Sequence, residues 1–131
     1  MEVNNLIVNG NAKFINNIEI FEENLINDSY INYTSGTTIS YLKEIPDCKY
    51  ITFKLFRQYQ SDIKIFLSIM KIPINEWKNG DIFVLYCRGD SSFQDPYVTI
   101  KHNTNSLIYT CSRNFPYMNR PIYLSATINY I

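Results

Sequence analysis

Ile122-Tyr123-Leu124-Ser125-Ala126-Thr127-Ile128-Asn129-Tyr130 decides the fold class. Successive side chains of a β-strand point to opposite faces, so Ile122, Leu124, Ala126, Ile128 and Tyr130 share one face, and Tyr123, Ser125, Thr127 and Asn129 share the other. That is the pattern of a half-buried strand, placed where it ties the end of the chain into a sheet. The same period recurs upstream. Tyr50-Ile51-Thr52-Phe53-Lys54-Leu55-Phe56-Arg57 groups Ile51, Phe53 and Leu55 against Thr52 and Lys54, and Ile63-Lys64-Ile65-Phe66-Leu67-Ser68-Ile69-Met70 groups Ile63, Ile65, Leu67 and Ile69. The polar connection Gln58-Tyr59-Gln60-Ser61-Asp62 is short enough to make these two runs an antiparallel hairpin.

Further strands are expected at 37–42, 82–88, 97–102 and 107–112, separated by the turn signals Pro46-Asp47, Asn79-Gly80, Gly89-Asp90, 103–105 and Pro116. Strands at this spacing predict an all-β fold, an antiparallel β-sandwich or jelly roll. Helix evidence is thin, because β-branched and aromatic residues dominate. Around Asn75-Glu76-Trp77-Lys78 the alternatives are a short helical turn and a loop that sets Trp77 against the core, the loop being preferred.

The 131 residues suit one compact domain, and 46% hydrophobic against 18% charged residues is a folding composition rather than a disordered one. Twelve basic and twelve acidic residues cancel, so no net field draws the chain to nucleic acid or to an anionic membrane. Lys43, Lys49, Lys54, Lys64 and Lys71 alternate with apolar neighbours and read as solvated strand faces. Met1-Glu2-Val3-Asn4-Asn5 lacks the positive segment of a signal peptide, and no apolar stretch approaches the ~18 residues that span a bilayer. Synthesis in a cytosol without membrane insertion is therefore expected. Cys48, Cys87 and Cys111 are odd in number and far apart, so they are expected as buried thiols outside any disulfide or metal site.

The first 26 residues differ in texture. Leu6-Ile7-Val8, Ala12-Lys13-Phe14-Ile15 and Ile18-Glu19-Ile20-Phe21 are short apolar groups broken by Asn9-Gly10-Asn11 and Asn16-Asn17. Isolated strands this short are marginal. Two arrangements supply neighbours: three intertwined copies, or an ordinary hairpin packed on the domain.

The run Leu6-Ile7-Val8-Asn9-Gly10-Asn11-Ala12-Lys13-Phe14 resembles the L-x-V-x-G-x-A-x-F cadence of phage tail-fibre and baseplate proteins. Thr38-Ile39-Ser40-Tyr41-Leu42, Met70-Lys71-Ile72-Pro73-Ile74 and the closing strand are similar to the receptor-binding head domains of such fibres. The resemblance implies a β-rich shaft or collar over 1–26, a sandwich head over 27–131, a homotrimer, and a place in a virion beside other virion proteins. It further implies non-enzymatic attachment to a host-surface saccharide or protein. The alternatives are a virion structural or decoration protein without a ligand, and a monomeric carbohydrate-binding module.

Catalysis finds little support. His102 is the sole histidine, which rules out a histidine-based metal cluster, and its place beside the Asn103-Thr104-Asn105 turn predicts a surface residue at a strand end. The acid pairs Glu22-Glu23, Asp90 with Asp95 and Glu76 with Asp81 carry no further mark of a glycosidase cleft. No cofactor and no metal site is expected. Arg88-Gly89-Asp90 reads as turn chemistry, and the glycosylation patterns Asn27-Asp28-Ser29 and Asn32-Tyr33-Thr34 as unmodified. The candidate recognition surface is a pair of loops: 90–97, with Phe93, Asp95 and Tyr97, and 114–120, with Tyr117 and Arg120. These join flat aromatic faces to groups that hydrogen-bond sugar hydroxyls, although the same aromatics would serve to cap the sandwich.

Overall fold

The structure is a computed structural model that describes residues 6–8, 12–15, 18–31, 35–87, 97–112 and 121–131. These form eleven strands: β1 (Leu6–Val8), β2 (Ala12–Ile15), β3 (Ile18–Ile20), β4 (Glu22–Tyr30), β5 (Ser35–Ser40), β6 (Tyr50–Gln60), β7 (Ile63–Pro73), β8 (Ile82–Tyr86), β9 (Tyr97–His102), β10 (Ser106–Cys111) and β11 (Ile122–Asn129). Two four-stranded antiparallel sheets, ordered β4-β11-β6-β7 and β5-β10-β9-β8, pack as a sandwich. The first three strands pair with one another as an antiparallel meander within the chain.

The period-two readings of β6 and β11 hold. Leu55 lies opposite Leu124, Phe53 opposite Ala126 and Ile51 opposite Ile128, and all six residues are essentially inaccessible. From the facing sheet Leu85, Val98, Ile100, Leu107 and Tyr109 close the core.

Several expectations change. The sandwich takes in β4 from Glu22, so Leu25 and Ile26, on the shaft side of a division at 26/27, lie in its core. Those two adjacent residues are both buried because the β11–β4 register shifts around Ala126, which turns consecutive side chains inward. On β7 the apolar set does not share one buried face. A register shift opposite Leu55 and Phe56 reverses the alternation at Leu67, so Met70 and Ile72 turn toward the core while Ile63, Phe66 and Ile69 are 44%, 52% and 57% exposed. His102 is not a surface residue but is 5% exposed, beneath Trp77 and Tyr41.

The segment around Trp77 combines both alternatives for it: a single 3-10 turn, Ile74–Glu76, followed by a Trp77 buried against the core. Gly80 turns the chain into β8 at φ +87°, a left-handed conformation that costs glycine little. Cys48, Cys87 and Cys111 form no disulfide. Cys87 is buried, and Cys48 and Cys111 are half-buried rather than buried. Burial pushes both half-buried thiols up to about 11, assisted at Cys48 by Asp47, so they stay protonated and weakly nucleophilic at neutral pH.

The residues that flank 88–96 and 113–120 lie at one end of the sandwich. Tyr86 is opposite Tyr97, the Ser112 amide donates to the Tyr97 carbonyl (2.9 Å), the Gln58 amide to the Pro121 carbonyl (2.9 Å) and the Ile31 amide to the Ile122 carbonyl (2.8 Å). The β6–β7 turn belongs to this same end. The opposite end carries the Trp77 segment, the β9–β10 turn and the close of β11, where the Tyr130 amide donates to the Phe21 carbonyl (2.9 Å).

Candidate functional site

A groove of about 490 Å³ runs over the outward face of the β4-β11-β6-β7 sheet. Its outward side chains follow from the pleat. With Phe53, Leu55, Leu124 and Ala126 turned inward, Lys54, Phe56, Tyr123, Ser125 and Thr127 must turn out. One aromatic residue comes from each of the four strands to form a continuous row. Tyr30 meets Tyr123 edge-on at 6.0 Å, Tyr123 stacks on Phe56 at 5.5 Å, and Phe56 meets Phe66 edge-on at 5.9 Å. These separations and angles lie within the range favoured by the quadrupoles of aromatic rings.

The row is anchored in its middle and open at its ends. Phe56 is 2% exposed, whereas Tyr30 and Phe66 are 54% and 52% exposed. Lys64 Nζ lies 4.7 Å from the centre of the Phe56 ring, and Lys54 Nζ lies 5.9 Å from that of Phe66, both within cation–π range. Lys64 also reaches Asp28 Oδ2 at 3.2 Å. Because β7 and β4 are opposite edges of the sheet, this ion pair crosses the groove above Phe56. Both side chains are about half exposed, so the contact contributes little to stability and is easily exchanged for a ligand. Asn24, Ser125 and Thr127 line the groove with hydroxyl and amide groups.

Chemically, the groove offers the exposed ring of Phe66, hydroxyl and amide donors and acceptors, and a crossing ion pair, with the exposed Tyr30 ring at the far end of the row. Among the described residues, no group of three or more His, Cys, Asp or Glu side chains is placed to hold a metal ion.

Of the residues expected at the site, Phe93, Asp95, Tyr117 and Arg120 lie outside the described residues, as does Arg88-Gly89-Asp90. Tyr97 is on the other sheet, 40% exposed, with its ring 5.9 Å from that of Tyr86. It takes no part in the groove. The residues of the row left a signal of their own: Phe56 is aromatic at a position that the phase of Ile51, Phe53 and Leu55 assigns to solvent, and Tyr123 leads the polar face of β11.

His102 is the other functional group to account for. Its Nδ1 lies 2.6 Å from the Tyr41 hydroxyl, and its ring stacks on Trp77 at 4.2 Å. Desolvation holds the imidazole below its ordinary pKa, opposed by the Asp81 carboxylate. Burial likewise raises the Tyr41 phenol. The neutral imidazole is therefore the folded form. A depressed histidine pKa means that the unfolded chain binds the proton more readily. The stability from neutral His102 is complete above the ordinary value of about 6.5 and is lost as pH falls through it toward the lower folded value. Urea unfolding near pH 7.5 and near pH 5.5 should show the wild-type chain losing more stability than His102→Gln over this interval. Equal losses would mean that the imidazole is not desolvated.

No family model, no curated protein and no solved structure matches the chain.

Proposed function

We propose that this chain is a non-enzymatic recognition domain that holds a surface saccharide along the aromatic row Tyr30-Tyr123-Phe56-Phe66. It would act as the head of a fibre on a phage-like particle, attaching that particle to its host. The observation that carries the binding reading is the row itself: a buried middle ring, Phe56, with the exposed rings of Tyr30 and Phe66 at its two ends, Phe66 bordering a groove with polar walls. The fibre setting rests on the cadence of residues 6–14 and on the sandwich architecture. Assembly as a homotrimer would let three modest sites act together, since linked sites raise apparent affinity without new contacts.

The test is a glycan array probed with the whole chain, followed by calorimetry on the best ligand. Phe66→Ala and Tyr30→Ala, both at exposed positions, should leave the fold intact and each weaken binding by about tenfold, the scale of one lost ring contact. Binding that survives the double variant unchanged would refute the aromatic row as the site.

A second reading, a particle structural protein without a ligand, is favoured by one observation. β7 is an edge strand with Ile63, Phe66 and Ile69 exposed. Light scattering coupled to size exclusion separates the cases: assembly that needs Ile69, combined with no glycan bound, supports this second reading.

A further inference from the structure

The groove over the β4-β11-β6-β7 sheet has its charges sorted by strand. Its carboxylates, Glu22 and Asp28, come from β4, and its lysines, Lys54 and Lys64, come from β6 and β7. Between them β11 contributes only the short side chains of Ser125 and Thr127, which form the floor.

The two lysines differ in what balances them. Lys64 is paired with Asp28 at 3.2 Å. Lys54 is half-buried and makes no ion pair among the described residues. Its Nζ lies 5.9 Å from the centre of the Phe66 ring, which is 52% exposed and borders the groove. The other groove carboxylate is remote from it. Glu22 lies opposite Asn129 on one side of β11, and Lys54 lies opposite Ser125 on the other, four residues away. At about 3.3 Å per residue this is roughly 13 Å along the strand, with two strand spacings across it, beyond the screening length of about 8 Å at physiological salt. Directly opposite Lys54, Ser125 is too short to fill the space beside it. An ammonium group without a counter-ion, next to an open ring face and a gap, favours a ligand that brings an anion and an apolar face together.

We infer that the saccharide held by the groove is anionic, a pyranose whose carboxylate meets Lys54 while its apolar face lies on Phe66. The inference rests on the groove as a saccharide site and adds the charge of the ligand.

The test uses the whole chain and matched probes: oligosaccharides of glucuronic, galacturonic and mannuronic acid, and the same oligosaccharides with each carboxyl reduced to a primary alcohol. For the tightest acidic probe, calorimetry should show reduction raising the Kd about tenfold or more, the scale of one charge-assisted hydrogen bond. Lys54→Gln should weaken the acidic form by a similar factor and leave the reduced form unchanged, and Lys54→Arg should keep the preference. Phe66→Ala should weaken both forms alike. Equal affinity for the two forms, or a Lys54→Gln chain that loses both alike, would overturn the anionic assignment and leave the groove standing as a saccharide site. Neutral glycans retained on the array with no acidic probe bound would do the same. No glycan of either kind bound would overturn the groove reading together with this one.

Discussion

Trp77→Ala should destabilise the chain by about 3–5 kcal/mol, the range for removing a large buried aromatic residue from a core. Trp77 comes from the connection between β7 and β8, and its ring spans the two sheets, packing 5.4 Å from Phe53 on β6, 5.3 Å from Phe83 on β8 and 4.2 Å from His102 on β9. Without it, that end of the sandwich loses its wedge, and His102 loses the ring that keeps it dry. The measurement is chemical denaturation followed by far-ultraviolet circular dichroism, since the fluorophore is removed. A loss below about 1 kcal/mol would show that the end of the sandwich closes by other means.

The second large effect concerns a pair of residues directly opposite one another in the centre of the β4-β11-β6-β7 sheet. Phe53 and Ala126 are 0% and 1% exposed and face one another across β6 and β11. Phe53→Ala should cost about 3–5 kcal/mol through lost burial and an unfilled cavity, and Ala126→Phe about 1–3 kcal/mol through overpacking. The exchanged pair, Phe53→Ala with Ala126→Phe, restores the total volume at the same place. It should be more stable than the sum of the single losses by at least 0.5 kcal/mol, because residues in contact couple at about that level or above. Strict additivity, read from urea midpoints at constant slope, would mean that the two side chains do not share their packing space.

The elements legible in the sequence were those in which one physical demand acts alone. β11 and β6 are central strands with one face in the core; burial alternates along the whole of β11, and on β6 it keeps Ile51, Phe53 and Leu55 inward although Thr52 and Phe56 on the other face are covered as well. β4 was not legible: Glu22-Glu23-Asn24-Leu25-Ile26-Asn27-Asp28-Ser29-Tyr30 carries few apolar residues, and its register shift breaks the period that would have revealed it. β7 was legible as a strand but not as to its faces, since the register shift near Leu67 depends on pairing with β6, which the chain of residues does not display.

The site was harder, for a similar reason. Flat rings beside polar groups are legible where they are close in sequence, as Phe93, Asp95, Tyr97, Tyr117 and Arg120 are. The aromatic row takes one ring from each of four strands, with Tyr30 and Tyr123 far apart along the chain and adjacent only through the β4–β11 ladder. Likewise the position of His102 at the end of a strand suggested solvent, yet the turn that follows it is covered by the Trp77 segment, a contact made across the sandwich.

The shape of β7 has a consequence for the behaviour of the chain in bulk. Ile65-Phe66-Leu67-Ser68-Ile69-Met70 is a six-residue window without charge, proline or glycine, on a strand whose outer hydrogen-bonding edge pairs with nothing among the described residues. Such a window can template cross-β stacking, and only Lys64 and Lys71 stand as gatekeepers at its two ends. One of those lysines is already drawn toward Asp28 and the other lies over Tyr50. Concentration, storage and slow folding would thus press on this one edge, and fibril formation would begin there rather than in the better-paired centre of the sheet.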